Sequence, residues 1–289
     1  MTKKTSIHTQ SLKIPKFIIL SCKFISFISP KLTVLYAAKL FTTPIKHKVP
    51  KRELHMERDS VKKLVTIPTL NKQVVVYEYG ESEKKVLLVH GWSGRGTQLV
   101  KIADELLKSG YSIVSFDAPA HGKSPGNNGI MTDFIAAIIE IDKQYGPFDA
   151  AVGHSLGGMS ILNAIKQGLK LKSAAIIGSG DIVHDIIEDF VAKLELNPNF
   201  ANRLRLHFEK KHGGKMSDYS AYRAAENTEI PLLVVHDKDD PEVPVKASIH
   251  IHQHLLNGTL MLTERLGHRK ILGSHDVIDR VVKFITHNK

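Results

Sequence analysis

Between Phe148 and Ile165 the chain runs from a short apolar stretch, through Gly153-His154-Ser155-Leu156-Gly157, into a helical pattern. A strand that turns directly into a helix is the unit of a parallel sheet, because parallel strands need a crossover connection. The glycines at either end of the turn let the backbone pass close to its neighbours. G-x-S-x-G in that setting holds a serine hydroxyl exposed on a sharp bend. A serine alcohol is a weak nucleophile until a base stands beside it, so the search moves to the rest of the chain.

The alternation continues from residue 61 onward. Lys62–Ile67 and Gln73–Tyr79 read as an opening antiparallel pair, joined through Leu70-Asn71-Lys72. Further strands are expected at Val86–Val89, Ser112–Phe116, Asp149–Val152, Ala174–Ile177, Leu232–Val235 and Thr259–Leu262. Helical stretches fall at about 96–109, 131–145, 156–169, 245–256 and 275–287. The pattern predicts an α/β protein with a mostly parallel sheet covered on both faces. Residues 181–226 break the rhythm, being helical, polar and irregular.

Four further motifs follow the same order. His90-Gly91-Trp92 comes after the strand Val86–Val89, and Asp117-Ala118-Pro119-Ala120-His121-Gly122-Lys123-Ser124 after the next one. Downstream lie an acidic turn ending in Asp240-Pro241-Glu242-Val243-Pro244, and Leu266-Gly267-His268. In these motifs the chain resembles the alpha/beta-hydrolase family, over roughly residues 61–289. The resemblance implies the alpha/beta-hydrolase fold: an eight-stranded, mostly parallel sheet flanked by helices, with a small helical cap at about 181–226. It also implies a triad in the order Ser155, Asp240, His268, with the backbone N–H groups of Trp92 and Leu156 receiving an oxyanion. The implied activity is that of a cofactor-free serine hydrolase acting on a carboxylic ester or thioester. Acyl transfer by the same triad and a catalytically silent binding protein are the alternatives.

Each assignment has a rival. Asp237 and Asp239 stand near Asp240, but Asp240 has the family's spacing to Pro244. His275 competes with His268, yet it opens the final helix. An attacking aspartate at Asp117, as in dehalogenases and epoxide hydrolases, is disfavoured because Ser155 holds the elbow position. His90 and His154 read as structural residues and His121 as a loop residue. Trp92 is open between substrate contact and packing under the cap. His250, His252 and His254 read as surface or packing residues, since no H-E-x-x-H or equivalent metal pattern is present. Gly91-Trp92-Ser93-Gly94-Arg95-Gly96 lacks the G-K-[ST] ending of a phosphate loop.

The charge is unevenly distributed. Residues 1–63 contain 14 Lys/Arg and 3 Asp/Glu, whereas residues 64–289 contain 26 of each sign. The formal charge of +11 therefore belongs to residues 1–63, that is to an N-terminal extension, residues 1–60, and the lysines just after it, and gives no reason to expect nucleic-acid binding by the hydrolase-like part. Residues 14–41 are apolar with Lys16, Lys23, Lys31 and Lys39 interspersed. Their uncharged runs are too short for a spanning helix, which needs about 20 residues. They also lack a cleavage site expected of a signal peptide. Ser29-Pro30 predicts a cap between two helices, at roughly 14–28 and 30–41. Three readings stay open: an arm packed on the domain with its lysines in water, a basic amphipathic element on an anionic membrane surface, or a disordered or processed segment. Residues 42–60 read as a polar linker. The lone Cys22 excludes internal disulfides and so leaves the compartment unconstrained; a cytoplasmic protein is the default expectation, with membrane association at the inner surface as the second possibility.

Overall fold

The computed structural model describes residues 14–288. One sheet carries eight strands in the order β1-β2-β4-β3-β5-β6-β7-β8. They are β1 (Val61–Ile67), β2 (Lys72–Tyr79), β3 (Lys85–Val89), β4 (Ser112–Asp117), β5 (Ala150–His154), β6 (Ser173–Ile177), β7 (Leu232–Asp237) and β8 (Gly258–Thr263). All eight expected strands form, with ends shifted by two residues or fewer. β2 pairs antiparallel with β1 and β4, and every other pairing is parallel. Every residue of β4, β5, β6 and β7 is buried, which is why these strands read as near-continuous apolar runs. The edge strands β1 and β8 are largely open.

Helices cover both faces. On one side α4 (Val100–Lys108) and α12 (His275–His287) bury Ile102, Leu106, Val277 and Val281. On the other, α5 (Met131–Tyr145), α6 (Leu156–Lys166) and α10 (Lys246–Gln253) bury Phe134, Ile138, Ile161, Leu162 and Ile251. Between β6 and β7 the chain makes a helical excursion: α7 (Val183–Lys193), α8 (Asn199–His212) and α9 (Ala221–Ala225). Its buried residues Ile187, Val191, Leu204 and Phe208 join the core on the α5/α6 side.

The N-terminal arm is a helical hairpin of α1 (Lys16–Ile28) and α2 (Pro30–Thr42). Ser29 caps α2 by accepting from the Leu32 N–H at 3.4 Å, and Pro30 opens the helix where its missing N–H costs nothing. The hairpin packs on the domain. Cys22, Ala37 and Ala38 join the same core as Phe134 and Phe208. Phe41 meets Phe190 edge-on, with centroids 5.0 Å apart, and Phe208 at 5.5 Å.

Residues 42–60 differ from the polar linker expected there. They include a short 3-10 turn, Lys51–Glu53, and α3 (Leu54–Asp59), and they bury Glu53 and Met56 completely. The reason is a tertiary partner invisible in the local sequence. The Glu53 carboxylate accepts from Arg95 Nη1 at 2.7 Å and Thr97 Oγ1 at 2.9 Å, on the loop after β3.

Candidate active site

The elbow is held open by what its glycines leave out. A Cβ on Gly157 would lie 2.3 Å from the Val89 carbonyl oxygen, and one on Gly153 would lie 2.7 Å from the Gly157 backbone. Both clashes are with main chain, which cannot move aside. Between them Ser155 takes φ 53° and ψ −120°, a conformation that costs a non-glycine residue about 1–3 kcal/mol. Hydrogen bonds fix it there: the Ser155 N–H donates to Ile177 O at 2.9 Å, and Gly158 N–H donates to Ser155 O at 3.0 Å. Strain at one side chain is thus sustained by the sheet below it.

The loop after β3 lies against this bend. A Cβ at Gly91 would come within 3.0 Å of Ser155 Cβ. His90 anchors the loop from inside. The Ala118 N–H donates to His90 Nε2 at 3.0 Å, so this nitrogen is the acceptor and Nδ1 carries the proton, donated to Gly91 O at 2.7 Å. Burial drives the His90 pKa far down, and the ring stays neutral. The Trp92 and Leu156 backbone N–H groups find no acceptor among the described residues. The Leu156 amide sits in the first turn of α6, where the helix dipole favours negative charge. Trp92 packs edge-on to His121, with centroids 4.9 Å apart, and its other surroundings open into the cleft.

Asp240 and His268 are brought together from the turns after β7 and β8. His268 Nδ1 donates to Asp240 Oδ2 at 2.7 Å, and both side chains are almost wholly buried. Asp240 Oδ1 accepts from the Glu242 and Val243 N–H groups at 2.8 and 3.0 Å. Burial alone would raise the Asp240 pKa. The hydrogen bond and charge of His268, with the two backbone donors, outweigh it and hold the carboxyl below its usual range. His268 lies in a one-turn helix, α11 (Gly267–Lys270), that follows β8.

The rival acids have other work. Asp237 accepts from Gly267 N, Leu266 N and Thr263 Oγ1 at 2.9, 3.1 and 2.7 Å, and Asp239 accepts from Arg265 N at 2.8 Å. Both organise the segment that carries His268. His154 supports it from the elbow, donating from Nε2 to the His268 carbonyl at 2.9 Å. Burial, with the nearby His268, lowers the His154 pKa to about 3. These supporting roles were not readable from sequence, although two aspartates just ahead of Asp240 and a histidine inside the elbow mark the places. His275 is exposed at the start of α12 and lies off the cleft.

Asp117 is fully buried and saturated. It accepts from Gly96 N at 2.6 Å, Lys123 N at 2.7 Å and Tyr77 Oη at 2.9 Å, which suits a loop organiser rather than a nucleophile. His250 Nδ1 bonds the buried Asp181 at 2.5 Å, and His254 Nδ1 donates to His250 O at 2.8 Å. Among the described residues no group of three or more metal-ligating side chains converges.

Ser155, Asp240, His268 and Trp92 line one cleft of about 2340 Å3. Its walls include Leu156 and Met159 from α6, Ile186 and Phe190 from α7, and Phe41 from the arm. Ser155 Oγ makes no hydrogen bond within 3.5 Å among the described residues. Contacts between a nucleophile and its base commonly tighten only when the reacting group binds.

The alpha/beta hydrolase family model matches residues 86–279, which is most of the chain and spans every motif above. The chain belongs to the alpha/beta hydrolase family. No curated protein matches it. Solved structures share the fold of this alpha/beta hydrolase at low identity. An esterase from Pyrococcus furiosus is 17% identical with a TM-score of 0.64, covering 85% of this chain and 97% of its own. A putative lipase from Acinetobacter baumannii is 19% identical with a TM-score of 0.62, covering 84% and 97%. A bromoperoxidase from Bacillus anthracis is also similar, at 15% identity and a TM-score of 0.60, covering 78% and 100%. Family and neighbours support a hydrolase, while the spread of their names shows that the fold leaves the chemistry to the site.

Proposed function

We propose that this alpha/beta hydrolase cleaves a carboxylic ester or thioester through an acyl-enzyme on Ser155. The observation that carries the reading is the buried Asp240–His268 pair, 2.7 Å apart, in the same cleft as a serine on a strained elbow. Ser155 Oγ attacks the acyl carbon and its proton passes to His268 Nε2. Asp240 holds Nδ1–H, which fixes the tautomer and stabilises the imidazolium. The oxyanion is received by the Trp92 and Leu156 amides, whose N–H groups have no other acceptor among the described residues. Collapse breaks the bond to the leaving alcohol or thiol, which takes the proton from Nε2. Water then attacks the acyl-enzyme with His268 as base, releasing the acid and restoring Ser155. Residues 181–226 act as a cap, and the apolar side chains of α7 above the elbow suit an acyl chain.

A fluorophosphonate probe tests this directly. Labelling should map to Ser155 and vanish in Ser155→Ala, which keeps wild-type secondary structure and loses turnover across esters graded by acyl length. Labelling at another residue, or ester turnover retained by Ser155→Ala, removes the assignment.

A further inference from the structure

Helix α1 is apolar on both sides, yet only one side is covered. Cys22 faces inward and is fully buried. Phe17, Leu20, Phe24, Phe27 and Ile28 face outward, with Phe17 72% and Phe27 91% exposed. At 100° per residue these five occupy an arc of about 100°. Leu32 and Leu35 of α2 extend the exposed apolar surface. Lys16, Lys23, Lys31 and Lys39 on the same two helices are exposed as well. Residues 14–52 contain no acidic side chain.

A continuous apolar strip bordered by lysines marks an interaction surface. Its charge decides between occupants. A second copy would bring two lysine-fringed faces together, and among the described residues only Lys23 of the four lysines has a carboxylate partner, Glu195. An anionic phospholipid surface offers acyl chains to the strip and phosphate charge to the lysines. Among the described residues no helix is long and apolar enough to cross a membrane, so the contact lies along the interface.

The arm also belongs to the cleft. Ile14, Pro15 and Ile18 of its first segment, with Leu40 and Phe41 of α2, line the cavity that holds Ser155. Just beyond α2 the Ile45 N–H donates to Ser93 Oγ at 3.0 Å, and Glu53 binds Arg95 and Thr97, so the arm is tied at two places to the loop bearing Trp92. We propose that the outer face of α1 and α2 docks the protein on an anionic phospholipid bilayer, and that the cleft draws its acyl ester from that surface. The second half rests on the serine hydrolase reading; the first does not.

The full chain should sediment with vesicles of phosphatidylglycerol mixed with phosphatidylcholine, and roughly tenfold more weakly with phosphatidylcholine alone. Binding should weaken as salt is raised, since exposed charges are screened. Phe24→Glu with Phe27→Glu should lower vesicle affinity roughly tenfold or more. Neither residue lines the cleft, so turnover of a short water-soluble ester should be kept, which also shows that the variant folds. Failure of the wild type to sediment with the mixed vesicles overturns the proposal, as does undiminished binding by the double variant. A wild-type dimer that the double variant converts to monomer assigns the face to self-association and overturns it too. Ser155→Ala should lose ester turnover yet bind vesicles like the wild type, so turnover retained with intact binding removes the hydrolase reading alone, leaving the docking surface in place.

Discussion

The strand ends and the N-terminal arm are held by different physical means. At the strand ends, Asp117, Asp237 and Asp240 each have at least one carboxylate oxygen bonded to the main chain, and glycines permit approaches that no Cβ would survive. The arm attaches through apolar contact at Cys22, Ala37 and Phe41 and through a few ties such as the Lys23–Glu195 ion pair and Glu53. The first construction fixes atoms directionally, because an unpaired buried polar group is costly. The second fixes a surface, since hydrophobic burial has no preferred direction. The contrast teaches that one chain can set a reactive constellation rigidly and still present an apolar face outward.

Substitutions at the two regions should separate sharply. The largest effect belongs to the strand ends: Asp240→Asn should lower kcat about 10,000-fold while thermal unfolding shows a folded protein, and little more should be lost when Ser155→Ala is added. Asp239→Asn should instead act mildly, and a dead Asp239→Asn beside an active Asp240→Asn would move the acid. Next comes the joint between regions. Glu53→Ala leaves the largely buried Arg95 unpaired, and should destabilise by about 3 kcal/mol in urea unfolding. An unchanged midpoint would show that the arm is not tied to the β3 loop.

Within the arm itself, Phe41→Ala removes a ring packed on Phe190 and Phe208, and should cost about 3 kcal/mol. Phe27→Ala, on the exposed face, should stay within about 0.5 kcal/mol. Equal effects would mean that the outer face is covered within the protein. The last effect is a slope with pH. His154 and His121 have pKa values lowered by burial to about 3 and about 4. The unfolded chain, with ordinary histidines near 6.5, therefore binds more protons than the folded one below that pH. Stability should fall as pH drops from about 6.5 towards 4, by about 1.4 kcal/mol per pH unit for each histidine. Replacing His154 with Asn should shallow that slope in unfolding measured from pH 7 to 5.

The eight strands were legible because each is a short apolar run bounded by turn residues, and β4 to β7, covered on both faces, lack any polar alternation. The turns that carry Ser155, Asp240 and His268 were legible because their spacing to Gly153, Gly157, Pro244 and Gly267 reports backbone constraint, which is local. The residues that hold the site were less so. Asp237, His154 and Glu53 act through partners 30, 114 and 42 residues away, and no local pattern marks such pairing. For the same reason residues 42–60 looked like a linker, when Glu53 and Met56 are buried against a loop and a core they meet only in the folded chain.

The sequence by itself determined the alternation of strands and helices, the bend at Ser155, the turns at Asp240 and His268 that follow it, and the concentration of charge before residue 64. Those properties are written in neighbours along the chain: periodicity, glycine, proline and capping residues. Tertiary structure alone decided that the Asp240 carboxylate meets the His268 imidazole, and that one side of α1 is buried while the other is left open. Convergence and burial depend on contacts between distant segments, and those exist only once the sheet has closed its order.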